Sequence, residues 1–158
     1  MRLMLPLFLL LWACTPVSRP GSTEFNPHTE VFAARSAEFA YYPAPRQIVV
    51  LTAAILQAGK ARRYVILTRV GLAGPNFPKL SGAWREGRAL DYERLDTRYG
   101  GCIDLCKREE VGVNTLSEAE FREAARNGLE FQLAGPRVAY TLVLPASAFA
   151  EALALAGD

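Results

Sequence analysis

"RQIVVLTAAILQ", residues 46–57, carries apolar side chains on both faces of its alternation, as a strand covered on two sides does. "AGK", residues 58–60, makes a turn. It is followed by "RRYVILTRV", residues 62–70, rich in the β-branched and aromatic residues that suit a pleated surface. Together the two runs predict an antiparallel hairpin with Lys60, Arg62 and Arg63 clustered at its tip. A chain that commits so much apolar sequence to one hairpin builds its core on a sheet.

The same reading extends towards the C-terminus. "GLAGPNFPKLSG", residues 71–82, holds three glycines and two prolines and reads as loop. "AWREGRALDYERLD", residues 83–96, places Glu86-Gly87 between two strand-like pieces, a second hairpin. "KREEVGVNT", from residue 107, supplies one more strand. Ser117 and Glu120 then have capping-box spacing, with Leu116 and Phe121 in the positions of a hydrophobic staple. Asn127-Gly128 supplies a stop, so a helix is predicted over 118–127. "LEFQL", residues 129–133, alternates with Leu129, Phe131 and Leu133 on one face, and "VAYTLVL", residues 138–144, is its partner. Pro145 suits a helix's first turn, and a short helix over 146–156 would close the core.

Upstream, residues 24–45 admit two readings. Phe32 and Phe39 lie seven apart, as on one helix face, while the aromatics and nearby prolines suit an extended edge. The expectation for the whole is an α+β fold: an antiparallel β-sheet of six or so strands, or a small sandwich, with two short helices. Residues 24–158 form a single domain on this reading, without internal repeats.

Composition bounds the function. The 158 residues are 51% apolar, enough for one sizeable core, and 18 basic residues nearly balance 16 acidic ones. No strong field favours nucleic acid, so no nucleic-acid partner is expected.

The N-terminal segment "MRLMLPLFLLLWAC" has one basic residue, Arg2, and an apolar run from Leu3 to Trp12 broken only by Pro6. That run is about half the roughly 20 residues a membrane-spanning helix needs, and it matches the apolar region of a secretory signal. Leu11, Trp12, Ala13 and Cys14 resemble the lipobox of bacterial lipoproteins, with Trp12 larger than the residue that position favours. The resemblance implies that residues 1–13 are a signal peptide cut before Cys14, whose thiol takes a diacylglyceryl group and anchors the chain. Thr15, where an Asp would be associated with inner-membrane retention, implies the outer membrane. "TPVSRPGST", residues 15–23, then reads as a tether, so that 14–23 link the anchor to the domain.

Secretion changes the reading of "GGCIDLCKREE", residues 100–110. In an oxidising compartment, and with Cys14 lipidated, a disulfide between Cys102 and Cys106 is the default. The competing readings are weaker. Structural zinc wants four ligands, and a redox site usually shows Cys-x-x-Cys before a helix. No metal or cofactor is expected.

Catalytic signatures are sparse. The single histidine, His28, falls in a tether-like region, which argues against a histidine-based triad. Two carboxylate pairs remain: Asp91 with Glu93 on one strand face, and adjacent Glu109 and Glu110. Both also suit ordinary surface ion pairs with Arg88, Arg94 and Arg98. A binding surface has its own candidates in Trp84, Tyr92 and Phe77 around the loops and in Arg62 and Arg63 at the hairpin tip. The competing role for Trp84 and Tyr92 is to cap the core, and Tyr41-Tyr42 has the same two readings. The sequence therefore leads to an outer-membrane-anchored periplasmic lipoprotein, a non-enzymatic binding or envelope-assembly accessory with an envelope protein or glycan as partner. The alternatives are a carboxylate-dependent envelope hydrolase and a secreted soluble protein whose lipobox is not used.

Overall fold

The computed structural model describes residues 20–42, 47–73, 79–99, 107–136 and 138–158. The leader with Cys14, together with Phe77, Cys102 and Cys106, lies outside them. The first elements are β1 (Ser22–Asn26), β2 (Val31–Arg35), β3 (Phe39–Tyr41), β4 (Gln47–Gln57), β5 (Arg63–Ala73), β6 (Gly82–Arg85), β7 (Arg88–Tyr99) and β8 (Lys107–Leu116). They are followed by α1 (Glu118–Asn127), β9 (Leu129–Gly135), β10 (Val138–Leu144) and α2 (Ala146–Leu155).

Among the described residues, all ten strands belong to one antiparallel sheet in the order β1-β2-β4-β5-β8-β7-β6-β9-β10, with β3 also on β4. The sheet curls into a half-barrel. Its two ends approach where the Tyr41 hydroxyl on β3 donates to the Val143 carbonyl on β10. The expected hairpin is β4–β5, in register from Gln47↔Gly71 to Ile55↔Arg63. β4 is an interior strand with apolar side chains on both faces: Ile48, Val50 and Ala54 are buried under the helices on the concave side, and Ala53 is buried beside Val65 and Val113 on the convex.

Where it is described, the stretch from residue 24 to residue 42 is extended with a turn and holds no helix: it contains the end of β1, then β2 and β3. β2 and β3 pair with the same edge of β4, but the register slips by one residue between Arg35↔Ala53 and Phe39↔Val50. Ser36 still continues the ladder, its N–H donating to the Thr52 carbonyl at 2.9 Å and its Oγ accepting from the Thr52 N–H at 3.0 Å. Ala37 and Glu38 therefore face Leu51 together, a β-bulge. One inserted residue inverts the parity of the strand. Phe32 and Ala34 point to the concave face before the bulge, and Phe39 and Tyr41 point there after it. The bulge frees the Ala37 N–H from the ladder, and the Glu151 carboxylate of α2 accepts it at 2.7 Å while accepting the Gly21 N–H at 3.1 Å. A backbone irregularity is thereby satisfied by a helix 114 residues further on.

Both helices fill the concave side. Phe121 of α1 and Phe149 of α2 are fully buried, edge-on with ring centroids 5.1 Å apart, and Tyr64 of β5 packs on Phe121 at the same distance. Leu129, Phe131 and Leu133 of β9 and Leu142 and Leu144 of β10 close the same core from the other wall. α1 has the bounds its caps predict: the Ser117 side chain accepts the Glu120 N–H, and the Glu120 carboxylate accepts the Ser117 N–H at 2.9 Å. Leu116 and Phe121, the staple pair, are both buried.

The Arg88 guanidinium, and then Ser117, hold the Glu120 carboxyl at about 2, below the ordinary glutamate value of 4.5. A carboxyl that titrates lower in the folded chain than in the unfolded one adds stability above pH 4.5, and this is lost as the pH falls towards about 2. Glu120→Gln is expected to flatten the stability–pH curve in that window, read as urea midpoints between about pH 2 and pH 5.

Several sequence expectations change. Among the described residues the sheet has ten strands in place of six or so, and it is a half-barrel, not a sandwich. β5 runs to Ala73, so residues 71–73 of the stretch predicted as loop are strand. β1 begins at Ser22, inside the stretch read as tether, and His28 sits in the β1–β2 turn as an exposed residue. No described helix is long and apolar enough to cross a membrane.

Candidate functional site

A cleft of about 810 Å³, lined by described residues, opens where β6 parts from β9. β6 pairs with β9 only from Gly82↔Ala134 to Trp84↔Gln132. β9 begins three residues earlier, at Leu129, and there its described partner is β10 alone. Beyond Trp84 the β6–β7 hairpin turns away at Glu86 and Gly87, whose φ values of +49° and +78° suit the mirror-image turn that two-residue hairpins favour. The divergence leaves Leu129–Phe131 with a strand edge that faces the cleft.

Each wall has a local cause. On one side the half-buried Trp84 folds its ring back over Gly82, where any Cβ would collide with the indole. Arg85 ties this wall to α1 through Glu123 at 3.6 Å. On the other side α1 stops at Gly128, whose φ of +76° and close approach to the Leu144 carbonyl exclude a side chain. Glu130 and Gln132 project outward between the buried Leu129, Phe131 and Leu133, and Val143, 56% exposed, lies beside Glu130 on β10. The cleft thus offers an aromatic face, an apolar contact, several side-chain hydrogen-bonding groups and a strand edge. This is the equipment for holding an extended chain.

The other residues singled out from sequence are dispersed. Trp84 and Tyr92 do not share a surface. Trp84 pairs with Ala89, and the following pair, Ala83 with Leu90, faces the core, which puts Trp84 on the convex side and Tyr92 on the concave side. Tyr92 lies across Gly112, half-buried against the core, so its core-capping role is the one the structure supports. Burial, and then the nearby Glu110, push its phenol up to about 12. Arg62 is engaged by Asp158, which also accepts from the Tyr64 hydroxyl at 3.3 Å, while exposed Arg63 reaches Thr115 Oγ1 at 3.4 Å. The Arg62 guanidinium holds the Asp158 carboxyl below its ordinary value. Tyr41 packs on the core and Tyr42 is exposed.

The carboxylate pairs do not converge. Asp91 and Glu93 stand on the exposed convex face of β7. Glu109 and Glu110 point to opposite faces. Glu109 pairs with Arg69 at 3.0 Å on the outside, whereas Glu110 is buried, accepts the Leu80 N–H at 3.0 Å and lies 3.8 Å from Arg94. Among the described residues no group of three or more His, Cys, Asp and Glu side chains is arranged to hold a metal ion.

Sequence reasoning missed Glu110 as a core residue, and it missed Glu151 and the Leu129–Phe131 edge. The "KREEVGV" pattern points the other way, because Val111 and Val113 share the parity of Glu109 and alternation alone would turn Glu110 outward. No local signal marked the edge, because it exists only where β6 diverges. Comparison with protein-family models, with curated proteins and with solved structures finds no match to this chain.

Proposed function

We propose that this chain is a lipoprotein held at the periplasmic face of the outer membrane through Cys14, and that its half-barrel is a non-enzymatic binding module. Its partner is another envelope protein, of which the Trp84 cleft takes an extended segment. The observation that carries the binding reading is the edge of Leu129–Phe131 beside Trp84, which has no strand partner on that side among the described residues: backbone N–H and C=O groups along a strand edge give affinity to an added strand, and the neighbouring side chains give selectivity. The hydrolase alternative lacks comparable support, since the candidate carboxylate pairs lie on opposite faces or in open solvent. The anchor reading rests on the lipobox-like residues and on β1 following Cys14 closely in sequence.

Two measurements test it. Intact mass and peptide mapping of protein taken from its native envelope are expected to show an N-terminus at Cys14 carrying acyl mass. Under non-reducing conditions a linked Cys102–Cys106 peptide is also expected. A photo-reactive phenylalanine at position 84 is expected to cross-link one envelope protein within a contiguous stretch of its chain. Trp84→Ala should weaken that association by about tenfold or more, the usual loss when an aromatic anchor is removed from an interface. Cross-links to glycan fragments alone would replace the strand-addition reading with aromatic stacking on sugar. An unprocessed chain with a free Cys14 would remove the anchor.

A further inference from the structure

The β1–β2–β4 end of the sheet carries an apolar feature with no role in the reading above. Registers across three strands put Phe25 of β1 opposite Phe32 of β2, and Phe32 opposite Leu56 of β4. The three form a continuous rank on the concave face, lining one shallow groove beside the β4–β5 turn. Phe25 is 61% exposed and Leu56 41%, although Ala34 and Ala54, the next pair along the same face, are fully covered. The helix cover ends just before this rank. A phenylalanine and a leucine left in water on either side of Phe32, across the last three strands of the sheet, mark a contact surface.

We infer that this rank rests on the lipid bilayer, inserting Phe25, Phe32 and Leu56 among the acyl chains once the domain is tethered. The inference rests on the Cys14 anchor proposed above, and the length of chain between anchor and rim is its main argument. Cys14 lies eight residues before Ser22, so the connection spans at most about 28 Å whatever path it takes. Phe25 is three strand residues further, about 10 Å. β1 is also the outermost strand of the sheet, so the edge nearest the anchor in sequence is the one that carries the exposed rank. Charge identifies the kind of lipid contact. The charged residues in the groove are Glu30 and Lys60, one of each sign, and Arg62 beyond them is engaged by Asp158. Nothing there attracts anionic headgroups strongly. The contact is therefore apolar insertion that a neutral bilayer supports, and it is too small to hold the domain without the covalent lipid.

The test uses acylated protein purified from its native envelope and reconstituted into phosphatidylcholine vesicles with or without brominated acyl chains. With Phe25→Trp, the emission added to the Trp84 background is expected to fall by about half in brominated vesicles, and raising the salt should not reverse it. Leu56→Trp, on the same rank, is an independent probe that should be quenched alike. Acylated protein in which both introduced tryptophans emit equally in the two kinds of vesicle would overturn the inference and leave the anchor intact. A mass without acyl groups at Cys14 would overturn the anchor and the inference together.

Discussion

Replacing Phe121 with alanine is expected to destabilise the domain by about 3–5 kcal/mol, the range for removing a large aromatic from a packed interior. Phe121 is fully buried on α1, and its ring touches Tyr64 from the sheet and Phe149 from α2, each at a centroid distance of 5.1 Å. It is the side chain through which the two helices and β5 meet. Truncation opens a cavity that none of the three can fill without moving the others, so relaxation recovers little of the loss. Thermal denaturation followed by circular dichroism should show the midpoint falling by on the order of 10 °C. Phe121→Leu, which keeps most of the volume, should cost far less. Equal losses for the two variants would mean that the aromatic contacts, not the filled volume, carry the stability.

The second large effect is expected at Glu110. Its carboxylate is buried on the concave face and accepts the backbone N–H of Leu80, and Leu80 is itself 3% exposed. Around that bond, Ser81 donates to the Ala134 carbonyl, and Gly135 lies so close to the Lys79 carbonyl that a Cβ would collide with it. Residues 79–81 are thus held between β8 and β9, and they set where β6 begins. Glu110→Ala leaves a buried donor without its acceptor and should cost about 2–4 kcal/mol. Amide exchange at Leu80 and Ser81 should accelerate ahead of global unfolding. Glu110→Gln keeps an oxygen for the Leu80 N–H and gives up charge opposite Arg94, a side chain 40% exposed that water can solvate, so its cost should be smaller. Because β6 forms the Trp84 wall of the cleft, Glu110→Ala should also weaken partner binding more than its stability loss alone explains. Comparing cross-linking yields of the two variants checks this.

The parts of the fold that were legible in sequence are those whose determinants lie within a few residues. Apolar runs rich in β-branched residues identified the β4–β5 hairpin, and alternation identified β9 with its partner β10. The Ser117–Glu120 capping box and Gly128 set both ends of α1, because each cap is a contact between residues three or four apart. The 7-residue spacing of Phe32 and Phe39 left helix and strand both open for a physical reason. An odd separation within one regular strand would put them on opposite faces, and only a helix or a bulge brings them to the same side. Whether the bulge forms depends on Leu51 across the ladder and on Glu151 of α2 accepting the freed Ala37 N–H, neither of which is near in sequence.

The sequence by itself therefore determined that the chain is a sheet with two short helices, where its strong local signals begin and end, and that its basic and acidic residues nearly balance. Only the tertiary structure decided that β6 lies beside β9 and leaves it after three residues, that Trp84 and Tyr92 face opposite ways, and that Glu110 is inside while Glu109 is outside. The physical reason is that periodicity and capping act through the local backbone. Strand order, the point at which two strands part and the burial of one charge in a polar run are settled by contacts between residues dozens of positions apart, which form only when the whole sheet closes around its helices.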